Sequence, residues 1–161
     1  MNREEVCCLY EQQGPALLGY ACALLGVRPA AEDILHSVFI KLMEDEASIS
    51  DPVPYVYKAL RNMALNVMRN ETRFIALDNG CAWFEPIRLM SEMALAVQEA
   101  LLALPSEQRE VVVLHIWCGM TFGEIGALVQ TSCDTVASRY RYALSKLREL
   151  LRDFEVNDDQ N

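Results

Sequence analysis

At 161 residues, 52% of them apolar, the chain is long enough to bury one core or two small ones. Its net charge of −9 excludes a uniformly basic, phosphate-coating surface. No apolar run approaches the roughly 18–20 residues that cross a bilayer, so no membrane insertion is expected.

Few glycines and recurring Ala, Leu, Met, Glu and Arg predict an all-α fold. From Arg3 to Leu25, Leu9, Leu17, Leu18, Ala21, Leu24 and Leu25 recur at helical spacing, with a bend or interruption expected at Gly14-Pro15 and a stop at Gly26. A second helix opens around Pro29, with Glu32 and Asp33 in its first turn and Ile34, Leu35, Val38, Phe39, Leu42 and Met43 as its apolar stripe. Ser50-Asp51-Pro52 is a capping side chain followed by a helix-starting proline, so a third helix is predicted from there to about Asn70, burying Val56, Leu60, Met63, Ala64 and Val67. Residues 73–90, with Asp78-Asn79-Gly80 and Glu85-Pro86, lose the periodicity and are expected to be a linker between a domain at 1–72 and one at 91–152. Phe74, Ile75, Trp83 and Phe84 are its apolar anchors.

In the second domain a helix from Ser91 to Leu102 is followed by one that Ser106 would cap, running through Trp117 and ended by Gly119. Thr121-Phe122-Gly123-Glu124 has capping-box spacing and opens a short helix to Val129 or Gln130. Thr131-Ser132-Cys133 breaks the chain sharply before a long helix from about Asp134 to Arg152. Short helix, tight turn and long helix are the parts of a helix-turn-helix, whose second helix fits a DNA major groove. The acidic residues after Arg152 are expected to form a disordered tail, 153–161.

On that last helix Val136, Tyr140, Ala143, Leu147 and Leu151 share one arc and are expected to face a core. The opposite arc carries Ser138, Arg141, Tyr142 and Ser145, flanked by Thr135, Arg139, Lys146 and Arg148. Small hydroxyls permit close approach, and guanidinium forks reach guanine edges or phosphates. Residues 104–152 hold six basic and five acidic residues, so the negative charge lies mostly elsewhere. An ordinary solvated helix face is the alternative, made less attractive by the capping box and turn in front.

No catalytic constellation is present: His36 and His115 lack a nucleophile at a usable spacing, and no glycine-rich phosphate loop occurs. No cofactor is expected. Cys7, Cys8, Cys22, Cys81, Cys118 and Cys133 show no C-x-x-C spacing and no signal peptide precedes them, so reduced cytoplasmic thiols are expected. His115 and Cys118 offer only two ligands, which do not make a metal site.

Leu104-Pro105, Gln108 to Val111, Gly119 to Gly126, Thr135 to Arg139 and Lys146-Leu147-Arg148 together resemble region 4 of extracytoplasmic function (ECF) sigma factors. Ala31 to Leu35, Phe39 to Leu42, and Tyr55 to Asn66 with Arg69 resemble region 2 of the same family. The resemblance implies a three-to-four-helix region 2 bundle, a four-helix region 4, and a protein that binds core RNA polymerase and directs it to a promoter without catalysing anything itself. It assigns Thr135, Ser138, Arg139, Arg141, Tyr142 and Lys146 to the −35 element. Lys58, Arg61, Asn62, Asn66, Arg69 and Arg73 fall to the melted −10 strand, beside a loop at 47–54, and Glu32, Asp33, His36 and Ser37 to polymerase. Tyr55 and Tyr57 are candidates either for base stacking or for the core. A cognate anti-sigma factor is a further implied partner. The chain departs from the family in His36-Ser37, where glutamine and an acid are usual, in Asn66 for aspartate, and in Ala137 for a basic residue. The acidic balance and the region 2 departures keep a second reading open, a sigma mimic that occupies an anti-sigma factor without binding DNA; a third, a helix-turn-helix repressor, would require a ligand pocket or a dimer helix.

Overall fold

The computed structural model describes residues 2–44, 49–70 and 92–155, with side chains to Arg152. The described residues form seven helices and no strand: α1 (Arg3–Leu25), α2 (Arg28–Glu44), α3 (Pro52–Asn70), α4 (Glu92–Ala103), α5 (Ser106–Ile116), α6 (Phe122–Val129) and α7 (Cys133–Glu155). The chain divides into two compact units, Met1–Trp83 and Phe84–Asn161. The expected linker at 73–90 lies outside the described residues, as do 156–161 of the expected tail; residues 153–155 continue α7.

In the first unit α1 packs on both α2 and α3. Its start is a reciprocal cap: the Glu5 amide donates to Asn2 Oδ1 and the Asn2 amide to Glu5 Oε2, both at 2.8 Å. It runs unbroken through Pro15, where the sequence suggested an interruption. Gly26 ends it at φ 72°, a left-handed conformation that costs glycine nothing. Leu17, Tyr20, Leu42, Val56, Tyr57 and Leu60 are at most 2% exposed and form the core. Tyr20 and Tyr57 meet with ring centres 6.0 Å apart, and Tyr10 sets its edge on Phe39 at 5.0 Å. Burial places Tyr57 in the core and removes it from the stacking candidates; Tyr55 remains exposed. Met43, expected in the α2 stripe, is 49% exposed, at the edge of a groove between α1 and α2.

The second unit gathers α4, α5 and α6 around α7. Val111, Val112, Val113, Leu114 and Ile125 are essentially inaccessible, which explains a β-branched run inside a helix: tertiary burial outweighs its weak propensity. Pro105, not Ser106, is the residue before α5; its extended ψ of 141° suits that position and Ser106 is already helical. After Trp117 the chain reverses at Gly119, φ 68°. The next corner, between α6 and α7, is built on Gly126: an added Cβ would lie 2.8 Å from the Thr131 carbonyl oxygen. Gln130 turns the corner at φ 59°, and the Thr131 amide donates to the Gly126 carbonyl at 2.9 Å. Gly126→Ala is expected to destabilise this unit by about 1–2 kcal/mol, because overpacking against rigid backbone (about 1–3 kcal/mol) outweighs the roughly 1 kcal/mol gained in helix propensity. Thermal melting checks this, and an unchanged or raised midpoint contradicts the close approach.

Candidate nucleic-acid interface

Two capped starts hold the corner in place. At α6 the Thr121 amide and hydroxyl each reach Glu124 Oε2 at 2.8 Å, and the Glu124 amide donates to Thr121 Oγ1 at 3.3 Å. These bonds from the Thr121 backbone and side chain hold the Glu124 carboxyl below the usual carboxylate range. A depressed folded-state value stabilises above the ordinary carboxylate pKa, and the contribution is lost as pH falls through the depressed value. Glu124→Gln is therefore expected to lower the melting midpoint at neutral pH, the difference shrinking on acidification below the carboxylate range; a difference constant with pH contradicts the ionic cap. At α7 Ser132 takes the capping role, its Oγ accepting the Thr135 amide at 3.1 Å and lying 2.8 Å from Thr135 Oγ1. Ser132 belongs to the polar break in the sequence and is at the same time the side chain that caps α7.

Val136 and Ala143 of α7 are fully buried, with Tyr140, Leu147 and Leu151 half-buried beside them, as the periodicity requires. Tyr140 closes an aromatic cluster: its ring centre lies 4.9 Å from His115 and 5.4 Å from Phe122, and His115 lies 4.7 Å from Phe122. His115 Nδ1 is 2.7 Å from the Met120 carbonyl, so that nitrogen carries the proton and donates it. The histidine thus binds the α5–α6 turn to α7.

Arg141, Tyr142, Ser145, Lys146 and Arg148 are exposed on the other side, Tyr142 at 68%, while Thr135, Ser138 and Arg139 are half-buried. Arg141 donates to Ser138 Oγ at 3.3 Å, joining two of the expected contacts into one group. Lys146 bridges Glu149 at 3.0 Å, and that bond and charge lower the Glu149 carboxyl. Arg139 is held differently, with its Nη2 3.0 Å from Glu107 Oε2 of α5. This pair joins two helices whose own periodicities do not indicate it. Arg109, also on α5, is half-buried, and desolvation lowers its pKa.

In the first unit Lys58, Asn62, Asn66 and Arg69 are exposed along one side of α3, opposite Val56, Leu60 and Ala64, with Arg61 half-buried at the margin. Arg73 lies outside the described residues. Because α2 begins at Arg28, Glu32 and Asp33 fall in its second turn, not its first, and Glu32 accepts from Arg28 Nε at 2.8 Å. Asp33 and His36 are exposed; the Ser37 hydroxyl donates to the Asp33 carbonyl at 2.8 Å. His36 borders an apolar groove between α1 and α2, lined by Val6, Tyr10, Phe39, Ile40 and Met43, which the sequence pattern does not reveal. Cys22 is buried and Cys7, Cys8 and Cys133 are exposed; Cys81 is outside the described residues. No described helix is long and apolar enough to cross a membrane.

A capped helix, a tight corner and a helix with a hydroxyl and guanidinium face define a helix-turn-helix unit. Residues 94–147, which contain it, match the family model "Sigma-70, region 4". Across nearly its whole length the chain is 24% identical, over 156 residues, to the RNA polymerase sigma factor CarQ of Myxococcus xanthus, covering 92% of this chain and 90% of that protein. Among solved structures it is similar to the sigma factor RpoE of Bartonella quintana, in complex with the anti-sigma factor NepR, with a TM-score of 0.76 and 24% identity over 92% of this chain and 98% of the other. It is also similar to CnrH in complex with the cytosolic domain of CnrY, with a TM-score of 0.68 and 24% identity over 94% of this chain and 90% of the other. Residues 94–147 thus carry a sigma-70 region 4 match, and the chain as a whole is similar in sequence and fold to sigma factors.

Proposed function

We propose that the chain is an ECF-type sigma factor: it binds core RNA polymerase and directs it to particular promoters. The observation that carries this reading is the outward face of α7, where Arg141, Tyr142 and Lys146 are exposed beyond a capped corner. Thr135 and Ser138, small and near the start of the helix, are the residues for close approach to base edges in the −35 element, while Arg141 and Lys146 supply charge to bases and phosphates. Lys58, Arg61, Asn62, Asn66 and Arg69 of α3 are suited to a −10 strand through backbone charge and hydrogen bonds, and Arg73 is assigned there by resemblance alone. Asp33 and His36, with Glu32 and Ser37 beside them, offer polymerase a partly acidic surface next to the apolar α1–α2 groove. The protein itself performs no catalysis and acts in the cytoplasm, where polymerase does the chemistry. Similarity to the sigma factor RpoE, solved with the anti-sigma factor NepR, supports an anti-sigma factor as a further partner.

The test is transcription with purified core polymerase on fragments upstream of the chain's own gene. A discrete transcript that requires the chain is expected. Binding to polymerase without any promoter-dependent transcript contradicts the reading and leaves the sigma-mimic alternative.

A further inference from the structure

Arg139 stands apart from the other cations of α7. At 100° per residue it lies about 40° around the helix from Ala143 and about 60° from Val136, so it borders the buried seam and not the middle of the outward face. Its side chain is 26% exposed, and its partner Glu107 comes from the first turn of α5, where the helix dipole favours a carboxylate. On the other border of the seam, Tyr140 rests edge-on against His115, at an interplanar angle of 80°. Between these two grips lie Val136, Ala143 and Leu147, apolar contacts that hold α7 against the core but have no directional preference, and so resist rotation about its axis less than lateral movement. A directional guanidinium–carboxylate bond supplies that resistance. It also leaves less of the Arg139 charge available to a phosphate.

We propose that Arg139 is a positioning residue, acting through Glu107 to fix the rotation of α7 against α5 and thereby the aim of Arg141 and Tyr142 at the −35 element. Arg139 does not itself contact DNA. This inference rests on the sigma-factor reading above, and it changes the role that family resemblance assigns to Arg139.

The test uses full-length chain assembled with core polymerase and a duplex selected from a random library by the wild-type complex. Arg139→Glu and Glu107→Arg are each expected to reduce discrimination between the selected and a scrambled duplex by roughly tenfold, the scale of one lost directional interaction. The double swap, which rebuilds the pair with reversed polarity, is expected to return discrimination to within about threefold of wild type. A swap as defective as Arg139→Glu alone overturns the inference, because a direct DNA contact cannot be rescued from Glu107. So does unchanged discrimination in both single variants. If the charge reversals prevent folding, Arg139→Gln and Glu107→Gln replace them: a double variant no worse than Arg139→Gln supports the pair, and additive losses overturn it. Arg141→Glu serves as the control for the parent reading. If the wild-type complex selects no duplex, or Arg141→Glu binds the selected duplex normally, the DNA-reading function falls and this inference with it; if Arg141→Glu fails but the swap is not rescued, only the role of Glu107 and Arg139 is lost.

Discussion

Replacing Ile125 by alanine is expected to lower the stability of the α4–α7 unit by about 2–5 kcal/mol, the range for truncating a fully buried aliphatic side chain. Ile125 has no solvent exposure and sits on α6, a helix of eight residues. An isolated helix that short does not persist in water, so α6 depends on its packing against α7 and α5 and on its cap. With few other buried side chains on α6 to compensate, the cavity cannot close without moving the corner. For a unit of this size each kcal/mol corresponds to roughly 4–8 °C in the melting midpoint, so calorimetry should show one transition moved strongly downward. A shift of less than a few degrees would mean that α6 is held by something other than this contact.

Arg141→Glu is expected to leave stability nearly unchanged, since the side chain is exposed and, among the described residues, bonded only to Ser138, and to weaken binding of the polymerase complex to promoter DNA. Loss of a groove-facing arginine costs about 1–3 kcal/mol, or roughly 5–150-fold, and the introduced carboxylate adds repulsion from the phosphates. Where the arginine also neutralises a phosphate, the slope of log affinity against log salt becomes shallower by about one. Fluorescence anisotropy on a labelled promoter duplex at several salt concentrations measures both effects. Unchanged affinity and slope contradict the assignment of this face.

The features legible in the sequence are local ones. The Thr121 to Glu124 cap depends on a three-residue spacing, and the buried arc of α7 on a 3.6-residue period, so both are legible directly and the structure shows both. Gly26 and Gly119 marked chain reversals because left-handed backbone favours glycine. Where tertiary context decides, the sequence misled or was silent. Gly14-Pro15 suggested a break, yet α1 is packed on two neighbours and continues through Pro15. Tyr57 fits either a base-stacking group or a core residue by sequence, and its contact with Tyr20 in the buried core decides for the second. Met43 and Ile40 carry an apolar signature but lie at a groove edge, because periodicity identifies a stripe without stating how much of it a partner helix covers. Glu107 and Arg139 are 32 positions apart, and nothing in either helix's own pattern announces that they meet.

The negative net charge is also easier to reconcile once position is known. Electrostatic attraction to DNA depends on charge within about a Debye length, near 10 Å at moderate salt, and not on the total for the chain. The α7 face presents Arg141, Lys146 and Arg148 on its exposed surface, and the α3 face presents Lys58 and Arg69.

The most direct test places a photo-crosslinking amino acid at position 142, where the native tyrosine is 68% exposed on the outward side of α7. In the complex with core polymerase on its promoter, irradiation is expected to join this position to the DNA at the −35 element. Crosslinking to a polymerase subunit or an anti-sigma factor, with none to DNA, would contradict the claim that this face reads the promoter.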